Sequence, residues 1–582
     1  MSEQHEPSSS TKPDTKGDDA SKKAKNGAAG HGHAAPSAAD ALLEKMANEM
    51  ADGPAKPQTS FGRAMRDILI VTVLLGGGTY FYYNSVTVKE KVQKLAQEAS
   101  DKLERDDLKS LREAEAKYQE ILALDGDNAI GLSGLAETYF HEHRHGLDTR
   151  GKAEEYASRA AKEGAETAER YAVQAYLDIT AGRAADAEKA MKSVLDRGYY
   201  HSKIAHAYGW ALLEQGRFSE ANQAVAGALD SDFNAVRYAL TLAEIALRQG
   251  GPDRSGDKSA LKNASKVLNN ALNPEHEIAL ALNAALRAKN YGNVDKPAKW
   301  IQQVEARAAD IGPTAKAYLA WASGELALSL GNTDVAIQKA DEALGLKKDF
   351  PPFFDLKGRA LLSTGKREDA IAAFEEGIKV GGATWRGAKW AELEQKVKLG
   401  DESAATLISD LEASEPSATK GPEYELLRGE LALKKGNLAD AEAAFTKAAD
   451  LGDDADILFG LAKVTFLQEK PKGNKANLEK IAEKFGAASE AQATFPELQE
   501  YMGQISLWNY DVPGALTQFE EAEKQFKRVN KPVPEIAAFY DRIVESLEKA
   551  EGAAKAPGAK AVPDWKAKKK SYLDSVTAQL AQ

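Results

Sequence analysis

Not one of the 582 residues is cysteine. Disulfides, thiolate metal sites and cysteine nucleophiles are thereby excluded. A long thiol-free chain fits an oxidising compartment, and it also fits a cysteine-poor cytoplasmic protein. Proline is sparse, at 20 residues, so few helices need be interrupted. Positive charge is also in deficit: 76 Lys and Arg stand against 88 Asp and Glu, a net charge of −12. A general nucleic-acid binder needs a basic face to displace phosphate counterions, so this balance argues against one. The excess acid sits in the middle of the chain. Residues 1–66 hold nine basic and nine acidic residues, and residues 549–582 hold seven lysines against three acids.

Long hydrophobic runs are equally scarce. One extends from Ile68 through Tyr83, and the next charge is Lys89. The 21 residues from Ile68 to Val88 are enough to cross about 30 Å of hydrocarbon as a helix. Arg63 and Arg66 flank one end; Tyr80, Phe81, Tyr82 and Tyr83 cluster at the other, where an aromatic belt belongs. The run begins too far from Met1 for a cleaved signal peptide. A transmembrane helix over 61–88 is the expectation, with a buried core helix as the bland alternative. Lys and Arg near the two ends tie in number, so charge does not orient the span. A short tail, one anchor and a large C-terminal body favour the inner (cytoplasmic) membrane with the body periplasmic or otherwise extracytoplasmic; the alternative topology puts the body in the cytoplasm.

The remaining chain divides by composition. Residues 1–60 are a polar, low-complexity tail expected to be disordered. Within it, Leu42, Met46 and Met50 give a short amphipathic helix over 38–50, either a docking helix or a transient one. Residues 89–125 read as a helical stalk merging into a first half-repeat, and residues 126–548 as an array of helices with short turns. Residues 549–582 read as a basic linker and terminal helix.

What is present is a period. Gly182 and Gly216 are 34 residues apart, as are Gly331 and Gly365, and Gly400 and Gly436 continue the series. In the block from Pro351 to Gly382, Gly358 and Leu361 fall on one helix, Gly365 ends it, and Ala370, Phe374 and Gly377 fall on the next. Gly324, Gly429 and Gly209 match Gly358 in other blocks; Ala336, Ala441 and Ala221 match Ala370; Phe445 matches Phe374. Small residues let two antiparallel helices approach, and a large residue behind them fills the neighbouring space. A recurring unit of this length means stacked hairpins rather than a domain built round one pocket.

This pattern resembles the tetratricopeptide repeat (TPR) family over about residues 100–545. At 496–523 Gly503, Ala515, Phe519 and Ala522 fit, with Tyr510 in place of the turn glycine. At 386–420 Glu392 and Leu393 occupy the crossing positions, a degenerate match. The expected fold is all-α: a TPR-like α-solenoid of nine to eleven hairpins, preceded by the tail and one transmembrane helix. The resemblance implies a concave groove lined by the first helix of each hairpin, binding an extended peptide or a partner helix. In that register Tyr176, His206, Trp210, Trp321, Arg359, Glu430 and Trp508 face the groove, and the aromatics either anchor a partner or pack between hairpins. The family's Lys, Arg and Asn peptide-carboxylate clamp has no counterpart here.

One motif has a catalytic look. His141-Glu142-His143-Arg144-His145 fits H-E-x-x-H, in which two histidines one turn apart bind zinc and the glutamate activates water. Arg144 puts a cation inside the motif, the longer H-x-x-G-x-x-H continuation is missing, and the segment falls at the end of a repeat helix, where it is expected to be frayed and solvated. No phosphate-binding glycine loop and no nucleophile elbow occur. The expectation is no enzyme, no cofactor and no metal. Two functions stand out: a membrane-anchored protein-interaction scaffold of the cell envelope, or a periplasmic chaperone-like folding helper near the translocon.

Overall fold

In the computed structural model, the described residues are 61–580, apart from 234, 253–254, 270–272, 292–294, 415, 453, 471–477, 492–494, 530–532 and 551–556. The expected tail and its 38–50 helix lie outside them. Two units divide the chain, residues 1–84 and 85–582. A first helix, α1, runs Phe61–Leu103, and α2 runs Leu108–Leu124. No described helix is long and apolar enough to cross a membrane. Side chains at 61–64 and 76–85, which include the middle of the apolar run, lie outside the described residues. From Met65 to Leu75 the large apolar side chains that are described are all exposed.

Residues from 129 onward form helical hairpins, twelve among the described residues. They pair Ala129–Arg144 with Arg150–Lys162 (hairpin 1), Ala168–Thr180 with Ala184–Asp196 (2), Ser202–Leu213 with Phe218–Ser231 (3) and Val236–Gln249 with Ser255–Leu268 (4). Glu277–Tyr291 with Asp295–Glu305 (5), Pro313–Ser329 with Thr333–Leu346 (6), Pro351–Ser363 with Arg367–Gly381 (7) and Arg386–Leu399 with Ala404–Ser414 (8) follow. Pro422–Lys434 with Leu438–Leu451 (9), Ala455–Glu469 with Leu478–Ala491 (10), Pro496–Trp508 with Val512–Arg528 (11) and Val533–Lys549 with Pro557–Leu580 (12) complete the array.

The glycine period has a local cause. Gly331 adopts φ +81°, and the following N–H of Asn332 reaches back to the Ala327 carbonyl at 2.8 Å. That bond satisfies a carbonyl orphaned at the helix end, and only glycine takes the left-handed conformation without a Cβ penalty. Asn332 then accepts from the Val335 N–H and opens the second helix. Gly436-Asn437 repeats the device. At hairpin 11 Tyr510 itself takes φ +60°, and Asp511 makes the same backward bond to the Ser506 carbonyl at 2.9 Å.

The crossing positions are as tight as the spacing predicts. Gly358, Gly429 and Gly503 lie against the rings of Phe374, Phe445 and Phe519, where a Cβ would overlap the ring. Phe445 also covers Gly460 of the next hairpin, so one ring locks a hairpin internally and to its neighbour. In degenerate hairpin 8, Glu392 is buried and paired with Lys396 at 2.5 Å.

One expectation needs correction. The hairpins number twelve, because degenerate pairs still fold as pairs. The region 89–125 merges into the array: Val92, Leu95, Ala99 and Leu103 are buried in one core with hairpins 1 to 4. The terminal helix runs Pro557–Leu580, and Trp565, 2% exposed, packs against Phe519, Phe539 and Tyr540 as the second arm of hairpin 12.

The array also touches itself far along the sequence. Thr314, opening hairpin 6, bonds through its N–H to the His145 carbonyl and through its hydroxyl to the Arg144 carbonyl, at 3.2 and 2.8 Å. Gly387 of hairpin 8 lies so close to Leu247 that a Cβ would overlap that carbonyl oxygen, and it faces Gly250 backbone to backbone. Small rotations between successive hairpins accumulate into this return.

Candidate functional site

Repeat register places equivalent positions of successive hairpins side by side. Glu214 therefore meets Arg248, Glu325 meets Arg359 and Arg367 meets Asp401, each pair 34 residues apart. The same register builds a buried polar cluster where α1, α2 and hairpins 1 to 4 converge. Lys203 Nζ donates to Glu137 Oε2 at 2.7 Å and lies 3.4 Å from Glu169 and 3.6 Å from Glu104. Arg237, 1% exposed, donates from Nη1 to Glu137 Oε1 at 3.1 Å and to His141 Nε2 at 2.8 Å. Its Nη2 donates to the Leu103 carbonyl, and its Nε lies 3.7 Å from Asp106 Oδ1.

Charge and burial compete in this cluster. Burial pushes the Glu104 carboxyl up, towards its neutral form, against the pull of Arg237 and Lys203. Burial also opposes ionised Asp106, but the Arg237 guanidinium outweighs it and holds its pKa at about 2. Glu137 likewise ends below the usual carboxylate range, because Lys203 and Arg237 overcome its desolvation. Asp106 and Glu137, with Glu169 beside Lys203, thus face two cations. Such a cluster needs every partner, since a buried charge left alone costs several kcal/mol.

The connection between α1 and α2 is the keystone. Asp106 takes φ +55°, and its carbonyl accepts from His145 Nε2 at 2.8 Å and His276 Nε2 at 3.1 Å. Asn273 binds the Arg105 carbonyl at 3.0 Å. One turn of chain is clasped by hairpins 1, 4 and 5. His141, Glu142 and His145 are accordingly 1%, 3% and 3% exposed, and the frayed, solvated helix end expected for this motif is overturned. The end of hairpin 1's first helix points into the curl of the array, where hairpins 4 to 6 cover it. His141 is kept neutral by burial and by Arg237. Among the described residues no group of three or more His, Asp or Glu could hold a metal ion.

The seven groove residues separate into sets. Tyr176, His206 and Trp210 form one: the Tyr176 hydroxyl bonds His206 Nδ1 at 2.8 Å, and the Tyr176 and Trp210 ring centroids are 5.4 Å apart. His206 Nε2 meets Thr241 Oγ1 at 2.9 Å, and burial holds the ring neutral. Trp321 and Arg359 share Glu325 Oε1 as acceptor, and Arg359 also binds Asp355 at 3.0 Å. Tyr176, His206 and Trp321 are fully buried and Trp210 nearly so, which fits the alternative in which they pack between hairpins; they tie hairpin to hairpin. Glu430 is exposed. Trp508 is half-buried and lines a cavity of about 600 Å³ with Lys470, Gln504, Tyr510 and Arg542.

A second cavity, of about 670 Å³, lies inside the curl. Trp210, Tyr318, Phe350 and Trp385 give it aromatic walls; Arg144, Arg248, Glu214 and Glu244 give it charge. Sequence reasoning missed Asp106, Glu137, Lys203 and Arg237. Glu169, Lys203 and Arg237 recur at one register position, a spacing visible in the sequence; Asp106 lies before the array and has no such signal.

Residues 426–473 match the tetratricopeptide repeat family model. The matched stretch covers most of hairpin 9 and the first helix of hairpin 10, and it supports a TPR-type repeat for the array. No curated protein matches. Solved structures match at low identity. The human IFIT1 dimer with m7Gppp-AAAA shares 15% identity, covering 68% of this chain and 90% of its own, with TM-score 0.38. The APC/C hetero-tetramer Cut9–Hcn1 shares 13% identity over 75% of this chain and 96% of its own, with TM-score 0.34. Yeast Tom70 shares 15% identity over 80% and 100%, also with TM-score 0.34. Likenesses of this size carry no argument about what the chain binds. The TPR-like array itself is a scaffold suited to protein–protein interaction.

Proposed function

We propose that this chain is a non-enzymatic interaction scaffold of the cell envelope, tethered to the membrane through residues 68–88, with its repeat body on the extracytoplasmic side. The observation that carries the scaffold reading is the twelve-hairpin array with its TPR match at 426–473. Its ionisable clusters are internally neutralised and join hairpins, as a rigid binding frame requires. The partner surface lies towards the C-terminal hairpins, where Glu430 and Trp508 remain accessible.

The tether rests on a separate observation. Ile68, Leu69, Ile70, Val71, Val73, Leu74 and Leu75 are 45–67% exposed around the whole circumference of α1. A helix apolar all round needs a covering, and a bilayer is the one this 21-residue uncharged run matches in length. The test has two arms. Full-length protein should float with phosphatidylcholine vesicles, and a chain lacking residues 68–88 should not. Affinity capture should retrieve a protein at fixed stoichiometry, and Trp508→Ala should reduce the yield. Capture of many unfolded proteins without stoichiometry would favour a folding helper. Reporter fusions at residues 60 and 120 decide the topology; a cytoplasmic signal at 120 would overturn the extracytoplasmic placement.

A further inference from the structure

Among the described residues, one cation on the wall of the cavity inside the curl has no carboxylate in ion-pair contact. Arg150 binds Glu154 at 2.9 Å, Arg248 binds Glu214 and Glu244, Lys347 binds Asp349 at 2.7 Å, and Arg237 belongs to the buried cluster. Among the described residues Arg144 has no carboxylate within ion-pair distance. Its guanidinium lies instead over the Trp210 ring, 4.7 Å from the centroid. Stacking of this kind leaves the in-plane N–H donors available.

Buried hydrogen-bonding atoms without partners occur on the same wall. They are His145 Nδ1, His141 Nδ1 and Arg237 Nε, the last two 3.9 and 3.7 Å from Asp106 Oδ1 and so beyond hydrogen-bond reach of it. His141 Nε2 accepts from Arg237, so the ring proton is assigned to Nδ1, a donor. His145 Nε2 donates to the Asp106 carbonyl, so its Nδ1 is an acceptor. Buried polar atoms are nearly always satisfied, by water or by a ligand. The cavity, about 670 Å³, is of the size that encloses a small organic molecule, and its aromatic walls suit a flat body.

We propose that this chamber binds a small organic anion, its acidic group on Arg144 and its apolar body against the aromatic walls. The site is distinct from the partner surface at Glu430 and Trp508. It exists because hairpins 1 to 7 curl around it, so occupancy would also brace the curl. Charge selects the ligand: Arg144 has no carboxylate in ion-pair contact, and Glu244, whose ionised form Arg144 also favours, is already bound by Arg248.

The test uses full-length protein and two probes sharing one ring system, the anionic dye 1-anilinonaphthalene-8-sulfonate and neutral N-phenyl-1-naphthylamine. Arg144→Gln should weaken the sulfonate by about tenfold or more and leave the neutral dye within about twofold, as loss of one charge-assisted bond requires. Arg144→Lys should restore most of the sulfonate affinity. Thr384→Trp, which fills the chamber from its wall, should weaken both dyes. The proposal is overturned if Arg144→Gln changes the sulfonate by less than about twofold, or if filling the chamber affects neither dye, the result expected of a cavity holding water alone. Among the described residues Arg144 makes no side-chain hydrogen bond or ion pair and stacks only on Trp210, so Arg144→Gln should keep the wild-type helical circular dichroism.

Discussion

Replacing Arg237 with methionine would test the buried cluster most directly. The side chain is 1% exposed and bonds Glu137, His141 and the Leu103 carbonyl, with Asp106 Oδ1 3.7 Å from its Nε. Methionine keeps much of the volume and none of the donors. The Leu103 carbonyl then loses a buried bond, worth about 1–3 kcal/mol. Asp106 loses its main counter-charge, while Glu137 keeps Lys203 at 2.7 Å. Breaking a buried pair costs about 3–5 kcal/mol, and the surviving Lys203 contact places the expected loss at the lower end, about 3 kcal/mol. A repeat array unfolds in segments, so the reading should be local. Amide hydrogen exchange at 103–108 and 137–141 should accelerate by about two orders of magnitude, with little change beyond hairpin 8. Adding Glu137→Gln to Arg237→Met should cost less than the sum of the two single changes, with a coupling of about 1–3 kcal/mol. A local loss below about 1 kcal/mol, or strict additivity, would refute the account of Arg237 as the cluster's central cation.

Asp106 sets a pH dependence. Its folded pKa, about 2, lies below its ordinary 3.8, so the unfolded chain takes up the proton first as pH falls. Stability present above pH ~4 should be lost between about pH 4 and pH 2, by about 2 kcal/mol, and Asp106→Asn should flatten that part of a denaturation-versus-pH curve. Gly387→Ala should push hairpin 8 from Leu247 and Gly250, costing about 1–3 kcal/mol and increasing the radius of gyration in X-ray scattering. Gly227→Ala, with nothing within 4 Å of the new Cβ, should instead stabilise hairpin 3 by up to about 1 kcal/mol in urea unfolding. Tyr510→Gly should relieve the left-handed φ of +60° and raise the stability of hairpin 11 by about 1 kcal/mol, measured by local hydrogen exchange.

The sequence by itself determined the hairpin and its repetition. Turn glycines act within six residues, and the fit of Phe374, Phe445 and Phe519 over Gly358, Gly429 and Gly503 needs only one hairpin. The period also makes some long-range chemistry legible: opposite charges 34 residues apart, such as Glu214 and Arg248 or Glu325 and Arg359, become neighbours once hairpins stack. Groove assignment was less legible. Tyr176, His206, Trp210 and Trp321 hold the right register, yet whether a register position faces solvent depends on how tightly the array curls.

That curl is what only the tertiary structure decided. It follows from small rotations summed over many hairpins, and no local residue pattern encodes the sum. The return of hairpin 6 onto His145, the seating of Gly387 against Leu247 and the clasping of Asp106 by His145 and His276 all depend on it. So does the fate of His141 to His145, which read as a solvated helix end and became the buried wall of a chamber. Local forces fixed each hairpin; the accumulated curvature fixed which charges lost their water and which one, Arg144, was left on the chamber wall with no carboxylate in ion-pair contact.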